Sequence, residues 1–134
     1  MAIEIRGMAP LLYVFDMRAS LHFYRDKLGF ELVGTDNNPR GDFDWVLLRL
    51  HGTELMLQAQ YDSGKHPLVP DPSRTESHGD TELYFSCPDV DATHEFLRAQ
   101  GVEAEKPFVT HYGFKRFSLE DPDGYRLCFH WRAS

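Results

Sequence analysis

Residues 13–31 begin with Tyr13-Val14-Phe15-Asp16, continue through Met17 to Leu28 and end with Gly29-Phe30-Glu31. This order predicts a strand, a helix, a glycine that ends the helix, and a second strand. The carboxylate of Asp16 can accept hydrogen bonds from the free amides of a first helical turn, and Gly29 suits the left-handed conformation that closes a helix. Both ends of the predicted helix are therefore marked.

The same order returns in the second half of the chain, as Phe85-Ser86-Cys87-Pro88-Asp89, Val90 to Gln100 and Gly101-Val102-Glu103. Two more extended segments follow each helix: Asp44 to His51 and Thr53 to Gln58 in the first half, and Phe114 to Glu120 and Tyr125 to Trp131 in the second. An internal repeat of this kind predicts one structural unit used twice. We therefore predict an α+β fold made of two βαβββ modules.

The chain has 134 residues and a formal charge of −7, from 14 Lys and Arg against 21 Asp and Glu. This length predicts a single domain, with module one at about 7–60, a linker at 61–79 and module two at 80–132. The negative charge excludes nucleic acid as an expected partner. No apolar run reaches the length of a membrane helix, and Met1 to Gly7 lacks the regions of a signal peptide, so a cytoplasmic protein is expected, with no membrane partner.

The segment from Gln60 to Gly79 is rich in Pro, Ser, Asp and Gly. This composition predicts a long connection rather than another element. A loop of this length is either a surface connection between the modules or a lid over a cleft.

Three local patterns resemble the vicinal oxygen chelate superfamily, which includes glyoxalase I, extradiol dioxygenases and bleomycin resistance proteins. They are Phe23-Tyr24 to Leu28-Gly29-Phe30, Tyr112-Gly113 with Phe117, and Asp121-Pro122-Asp123-Gly124. The resemblance extends from about Met8 to Trp131. It implies that the two modules form a curved mixed sheet with a concave cleft, but the same fold hosts metal enzymes and metal-free binding proteins.

The resemblance to glyoxalase I places Ala9, Met56, Glu82 and Cys128 at the positions of the metal ligands. Alanine cannot bind a metal, and methionine is a poor ligand for the ions that these enzymes use. Two remaining ligands do not make a stable site for Zn, Ni or Fe. We therefore expect no metal and no other cofactor, while a displaced site built from Glu82, Cys128 and one or more of the seven histidines remains the alternative.

The bleomycin resistance proteins resemble this chain more closely, in Ala9-Pro10-Leu11-Leu12 and in the segment from Tyr112 to Gly124. This resemblance implies a homodimer in which the arms before the first strand are exchanged and a drug binds in a cleft between subunits. A proline suits an edge or crossing strand because it lacks an amide donor. A strand-opening proline without any role in a dimer is the alternative for Pro10.

Strand alternation separates two faces, because residues two apart on a strand share a face. The concave face implied by the resemblance contains aromatic, polar and acidic residues: Ala9, Leu11, Tyr13, Glu54, Met56, Gln58, Glu82, Tyr84, Cys128 and His130. The opposite face is uniformly apolar: Leu12, Val14, Leu55, Leu57, Leu83, Phe85, Leu127 and Phe129. A uniformly apolar surface is what a sheet packed under helices requires.

Aromatic walls with a few polar groups suit a small organic ligand. The predicted ligand-binding residues are Tyr13, Trp45, Met56, Gln58, Glu82, Tyr84, His111, Phe114, Cys128 and His130. The carboxylates of Glu54 and Glu82 favour a cationic ligand. Plain packing is the alternative role of these side chains, and for Cys128 an inert thiol is favoured over a nucleophile activated by His130.

The sequence thus predicts a metal-independent protein that binds a drug or similar organic molecule in a dimer cleft, resembles the bleomycin resistance type and acts in antibiotic resistance. No reaction and no catalytic residue is expected. The alternative is a metal-dependent lyase, isomerase or dioxygenase that resembles glyoxalase I. A third possibility is a small-molecule sensor without a role in resistance.

Overall fold

In module one, a strand and a helix precede a three-stranded meander. The last strand of the meander pairs with the first strand of the module. The computed structural model describes residues 2–62 and 65–134, so Met1 and the linker residues Ser63 and Gly64 lie outside the described residues. The elements are β1 (Leu11–Val14), α1 (Met17–Leu21), a π-helical segment (His22–Lys27), β2 (Glu31–Thr35), β3 (Trp45–Leu50) and β4 (Thr53–Ala59). The strand order is β1-β4-β3-β2, with β1 parallel to β4 and the other pairs antiparallel.

Module two repeats this arrangement behind a short additional helix. Its elements are α2 (Pro72–Ser77), a 3₁₀ turn (His78–Asp80), β5 (Glu82–Ser86), α3 (Val90–Ala99), β6 (Phe108–Val109), β7 (Phe114–Glu120) and β8 (Arg126–Arg132). The strand order is β5-β8-β7-β6, with β5 parallel to β8. The predicted α+β fold of two βαβββ modules is therefore confirmed. The chain divides into two compact units, Met1–Leu68 and Val69–Ser134.

The helix ends follow the predicted capping residues. The Asp16 carboxylate accepts hydrogen bonds from the backbone amides of Arg18 at 3.0 Å and Ala19 at 3.3 Å. The Asp89 carboxylate accepts one from the amide of Ala92 at 3.0 Å. Gly101 follows α3 with a φ of +80°, the left-handed conformation that glycine adopts at least cost.

Helix α1 ends in a π-helical segment that the 3.6-residue spacing did not predict. The amide of Leu28 bonds to the carbonyl of Phe23 rather than to that of Tyr24, at 3.0 Å. Phe23 and Tyr24 are both buried, with their rings in edge contact at 5.1 Å, and Tyr24 also contacts Phe30 at 6.0 Å. Packing of these aromatic rings accompanies the wider turn.

The strand expected at Gly101-Val102-Glu103 is absent from the described module, and the prediction was wrong there. The paired strand begins only at Phe108. Before it, the Glu105 carboxylate accepts hydrogen bonds from the amide and hydroxyl of Ser118 at 2.9 and 3.0 Å, so a side chain takes over part of the strand pairing. Pro107 has no amide to donate to a ladder.

The expectation that Gln60 to Gly79 holds no element was also wrong, because α2 lies within it. The Asp71 carboxylate accepts a hydrogen bond from the amide of Ser73 at 3.0 Å, and Pro72 occupies the first turn. An aspartate followed by a proline is a helix start signal that the overall composition of the segment obscured.

Helix α2 is attached to the turn between β7 and β8. The His78 ring stacks on Tyr125 with centroids 3.8 Å apart, and its Nδ1 lies 2.7 Å from the carbonyl oxygen of Asp123. The Arg74 guanidinium lies 3.4 Å from the buried Asp123 carboxylate. Within the turn, the Asp121 carboxylate accepts hydrogen bonds from the amides of Asp123 and Tyr125, both at 2.9 Å.

The two faces of each sheet follow the predicted alternation. In module one Leu12, Val14, Leu55 and Leu57 are buried, and in module two Leu127 is fully buried while Leu83, Phe85 and Phe129 are half-buried. Helix α3 packs against β7 and β8 on this apolar side. Across residues 2–62 and 65–134, no helix has the length and apolar character needed to cross a membrane.

Replacing Gly124 by alanine is expected to lower the free energy of unfolding more than the matched change at Gly101. Both have positive φ values, +83° and +80°, but a Cβ at Gly124 would lie 2.6 Å from Thr75 Cγ2, whereas a Cβ at Gly101 meets nothing within 4 Å. We expect a loss of about 1 kcal/mol for Gly101→Ala and about 2–4 kcal/mol for Gly124→Ala, measured by chemical denaturation.

The double variant Gly124→Ala with Thr75→Ala is expected to recover most of the difference, because it removes the methyl group that the new Cβ would meet. Equal losses for Gly101→Ala and Gly124→Ala would contradict the packing of α2 on this turn.

Candidate functional site

The open face of module two is the side of its sheet that carries Tyr84, Phe108, Phe114, Arg116, Ser118, Cys128 and His130. The register places Tyr84 and Ser118 on either side of Cys128, and Arg116 opposite His130. Phe108 on the edge strand is the partner of Arg116. Residues paired across neighbouring strands point to the same side of a sheet. This register brings the predicted Tyr84, Phe114, Cys128 and His130 together on one surface.

Aromatic rings form a continuous series on this open face. His130 makes an edge contact with Tyr84 at 5.0 Å and stacks on Phe114 at 5.4 Å. Tyr112 continues the series, 5.9 Å from Phe114 and 5.2 Å from the predicted His111. Tyr84 and Tyr112 remain 44% and 56% exposed, so this ring surface is available to a flat apolar group.

Arg116 lies within this aromatic surface, and the sequence analysis missed it. Its Nη1 donates a hydrogen bond to the Tyr84 hydroxyl at 2.8 Å. The guanidinium carbon lies 5.4 Å from the ring centre of Tyr84 and 5.7 Å from that of Phe108, distances typical of cation–π contacts. The signal that could have found it is strand alternation, because Arg116 is two residues after the predicted Phe114.

Cys128 lies fully buried beneath these groups. Burial raises the pKa of its thiol above the ordinary value, although the Arg116 guanidinium and a hydrogen bond from Tyr84 act in the opposite direction. The imidazole of His130 packs between Tyr84 and Phe114. A buried thiol with a raised pKa is not an activated nucleophile, which favours an inert Cys128 over a Cys128–His130 pair.

Both carboxylates that favoured a cationic ligand have arginine partners. Glu82 lies 3.3 Å from Arg126, and Glu54 lies 2.7 Å from Arg49. Ion pairs at the surface are weak, but each brings a positive charge to the carboxylate that was expected to attract a cation. The expected preference for a cationic ligand remains a prediction. The arginine partners reduce the negative charge that Glu82 and Glu54 could offer to such a ligand.

The predicted residues of module one share a face of their own sheet. Gln58 pairs with Tyr13 on one side and with Trp45 on the other, and Met56 pairs with Leu11. A separate cavity of about 380 Å³ lies near the start of α1. Phe15 lines it with His66 and Tyr61 from the segment that follows β4, at ring distances of 4.4 and 6.1 Å.

The family model of the Glyoxalase/Bleomycin resistance protein/Dioxygenase superfamily matches residues 8–129. The chain belongs to this superfamily. Solved structures similar to this chain include SMU.1112c, with 27% identity and a TM-score of 0.73 over 96% of this chain and 100% of that one. No match is found among curated proteins.

A glyoxalase family protein from Enterococcus faecalis is 28% identical, with a TM-score of 0.64 over 96% of this chain and 97% of that one. A glyoxalase/bleomycin resistance protein/dioxygenase from Nocardioides has 17% identity and a TM-score of 0.71, covering 99% of this chain and 87% of that one. The Nocardioides protein supports the fold alone.

The metal held by the metal-dependent enzymes of this superfamily does not fit the expected ligand positions of this chain. Two of the four expected ligand positions, Ala9 and Met56, offer no hard or borderline donor. Cys128 is a buried thiol beside the Arg116 guanidinium, whose positive charge disfavours a metal cation. Among the residues described, no group of three or more His, Cys, Asp and Glu side chains has the arrangement of a metal site.

The two cysteines are expected to differ in their rates of alkylation in the native protein. Cys87 is half-buried and Cys128 fully buried. Because burial raises the pKa of Cys128, its thiolate forms only as the pH rises beyond the ordinary thiol range. Iodoacetamide at neutral pH should modify Cys87 and leave Cys128 intact, as read by mass spectrometry.

The variants Cys87→Ser and Cys128→Ser provide the matched controls, since each keeps one thiol. Equal modification rates for the two thiols at neutral pH would show that Cys128 is accessible and ionised, contrary to its environment in the structure.

Proposed function

We propose that this protein binds a small organic molecule, without a metal ion, on the open face of module two. The observation that carries the proposal is the series of rings from Tyr84 through His130 and Phe114 to Tyr112, with the Arg116 guanidinium over the Tyr84 ring. Partly exposed rings beside a few fixed polar groups are typical of sites for organic ligands.

Binding rather than a reaction is favoured by the chemistry of the same residues. Cys128 is a buried thiol with a raised pKa, and the Glu82 carboxylate lies beside Arg126. The environment of Cys128 is not that of an activated nucleophile, and an ion pair engages the Glu82 carboxylate that a general base would need free. Sequestration of a drug or similar molecule, as in proteins of the bleomycin resistance type, needs neither group and is our proposal for the biological role.

A homodimer in the cytoplasm is part of this proposal. The N-terminal arm carries Ile3, Ile5 and Met8, all strongly exposed. Apolar side chains in an exposed row favour contact with another surface. A second copy of the chain supplies such a surface, in keeping with the arm exchange that the resemblance implies for Pro10.

A metal-dependent lyase, isomerase or dioxygenase is the second candidate. It is favoured by the 28% identity to a glyoxalase family protein. It requires ligands other than those at the expected positions, because Ala9 and Met56 cannot supply them.

A set of small neutral aromatic molecules, titrated into the labelled protein and followed by heteronuclear NMR, tests the proposed function. We expect the largest shifts at Tyr84, Phe114 and His130. His130→Ala removes the ring that joins Tyr84 to Phe114 and is expected to weaken binding about 3- to 10-fold.

The matched control is Phe96→Ala, which removes a half-exposed ring from helix α3 instead of from the open face. This change should leave the affinity as it is. Shifts that cluster elsewhere, or equal effects of His130→Ala and Phe96→Ala, would contradict the assigned site.

A further inference from the structure

The charge of Arg116 has no carboxylate partner within ion-pairing distance among the described residues. Two other strand arginines differ in this respect: in module two Arg126 lies 3.3 Å from Glu82, and in module one Arg49 lies 2.7 Å from Glu54. The nearby carboxylate of Glu105 bonds instead to the amide and hydroxyl of Ser118. Glu105 therefore acts on Arg116 only at longer range, and Arg116 is a half-buried cation without an ion-pair partner among the described residues.

The neighbours of Arg116 hold its guanidinium in place without neutralising it. Tyr84 accepts a hydrogen bond from Nη1 at 2.8 Å and offers its ring face, Phe108 offers a second ring face, and the Tyr112 hydroxyl accepts a further hydrogen bond. These are neutral contacts, and the buried Nε finds no hydrogen-bond partner among the described residues. A guanidinium carries five N–H donors in a planar fork that matches a carboxylate, and most of those donors are not used here.

The surroundings of Arg116 also indicate what kind of anion would fit beside its guanidinium. Phe108, Tyr84 and Tyr112 expose about half of their surfaces around the cation. A small inorganic anion would leave these rings in contact with water. An organic acid with a flat apolar body would cover them while its acid group meets the guanidinium.

We infer that the ligand of the open face of module two is an organic carboxylate, with Arg116 as the residue that binds its carboxylate and selects for its charge. This inference rests on the proposed function and specifies its ligand class. It replaces the cationic preference that Glu54 and Glu82 suggested, because those two acids are paired while Arg116 is not.

Three probes of equal shape and different charge test the inference: naphthoate, naphthamide and naphthylmethylammonium, each titrated by calorimetry into the intact protein. Naphthoate is expected to bind about 10- to 100-fold more tightly than naphthamide, since a hydrogen bond to a charged group is worth more than a neutral one. Naphthylmethylammonium is expected to bind most weakly. The preference for naphthoate should shrink as salt concentration rises.

The variants then assign the preference to one residue. Arg116→Gln should bring the affinity for naphthoate down to that for naphthamide, and Arg116→Lys, which keeps the charge without the planar fork, should restore part of it. Arg98→Gln removes a positive charge from helix α3 and should leave the preference unchanged. If Arg116→Gln does not fold, the order of the three probes on the parent protein still decides the charge class of the ligand, and a partial loss of the naphthoate preference in Arg116→Lys assigns it to this residue.

The outcomes separate this inference from the proposed function. Equal binding of all three probes at the open face, or a naphthoate preference that survives in folded Arg116→Gln, would overturn the role of Arg116 and leave a small-molecule site. Tightest binding of naphthylmethylammonium would overturn it in favour of a cationic ligand. Failure of all three probes to bind, together with no shifts from neutral aromatic molecules, would overturn the proposed function as well.

Discussion

Burial of one apolar face of each four-stranded sheet is the constraint on which the other features depend. Val14, Leu57 and Leu127 are fully buried. In each case the residues immediately before and after it in sequence lie on the opposite face of the sheet. A slip of one residue would bring polar side chains into the core, so the pairing register has little freedom. That register determines which side chains stand on the open face of module two, and hence which groups a ligand can meet.

The parts of the fold that follow from local chemistry could be predicted from the sequence. Strand alternation identified the buried and open faces, and Asp16 and Asp89 marked the helix starts. The errors arose where contacts distant in sequence decide the local structure. The Glu105 side chain bonds to Ser118, and the strand that pairs with β7 begins only after it. Helix α2 forms where its Arg74 lies beside Asp123 in the turn between β7 and β8.

The candidate site was predictable as a surface but not as a chemical environment. Alternation placed Tyr84, Cys128 and His130 on one face, whereas the charge pairing of Glu82 and the position of Arg116 depend on side-chain contacts across strands. These contacts change the expected chemistry. The superfamily fold is kept, but the positions that would hold a metal carry an alanine and a methionine, and an arginine stands beside the buried thiol of Cys128.

The absence of a bound metal ion separates the proposed binding role from that of a metal-dependent enzyme, and elemental mass spectrometry tests it most directly. The untagged protein would be purified without chelators, incubated with Ni, Zn, Fe or Mn in turn, and freed of unbound ions before measurement. Because the donor positions and the Arg116 charge disfavour a cation, the expected result is no stoichiometric metal under any condition. A content near one metal ion per chain that persists through the final dialysis would contradict the account and favour the metal-dependent enzyme.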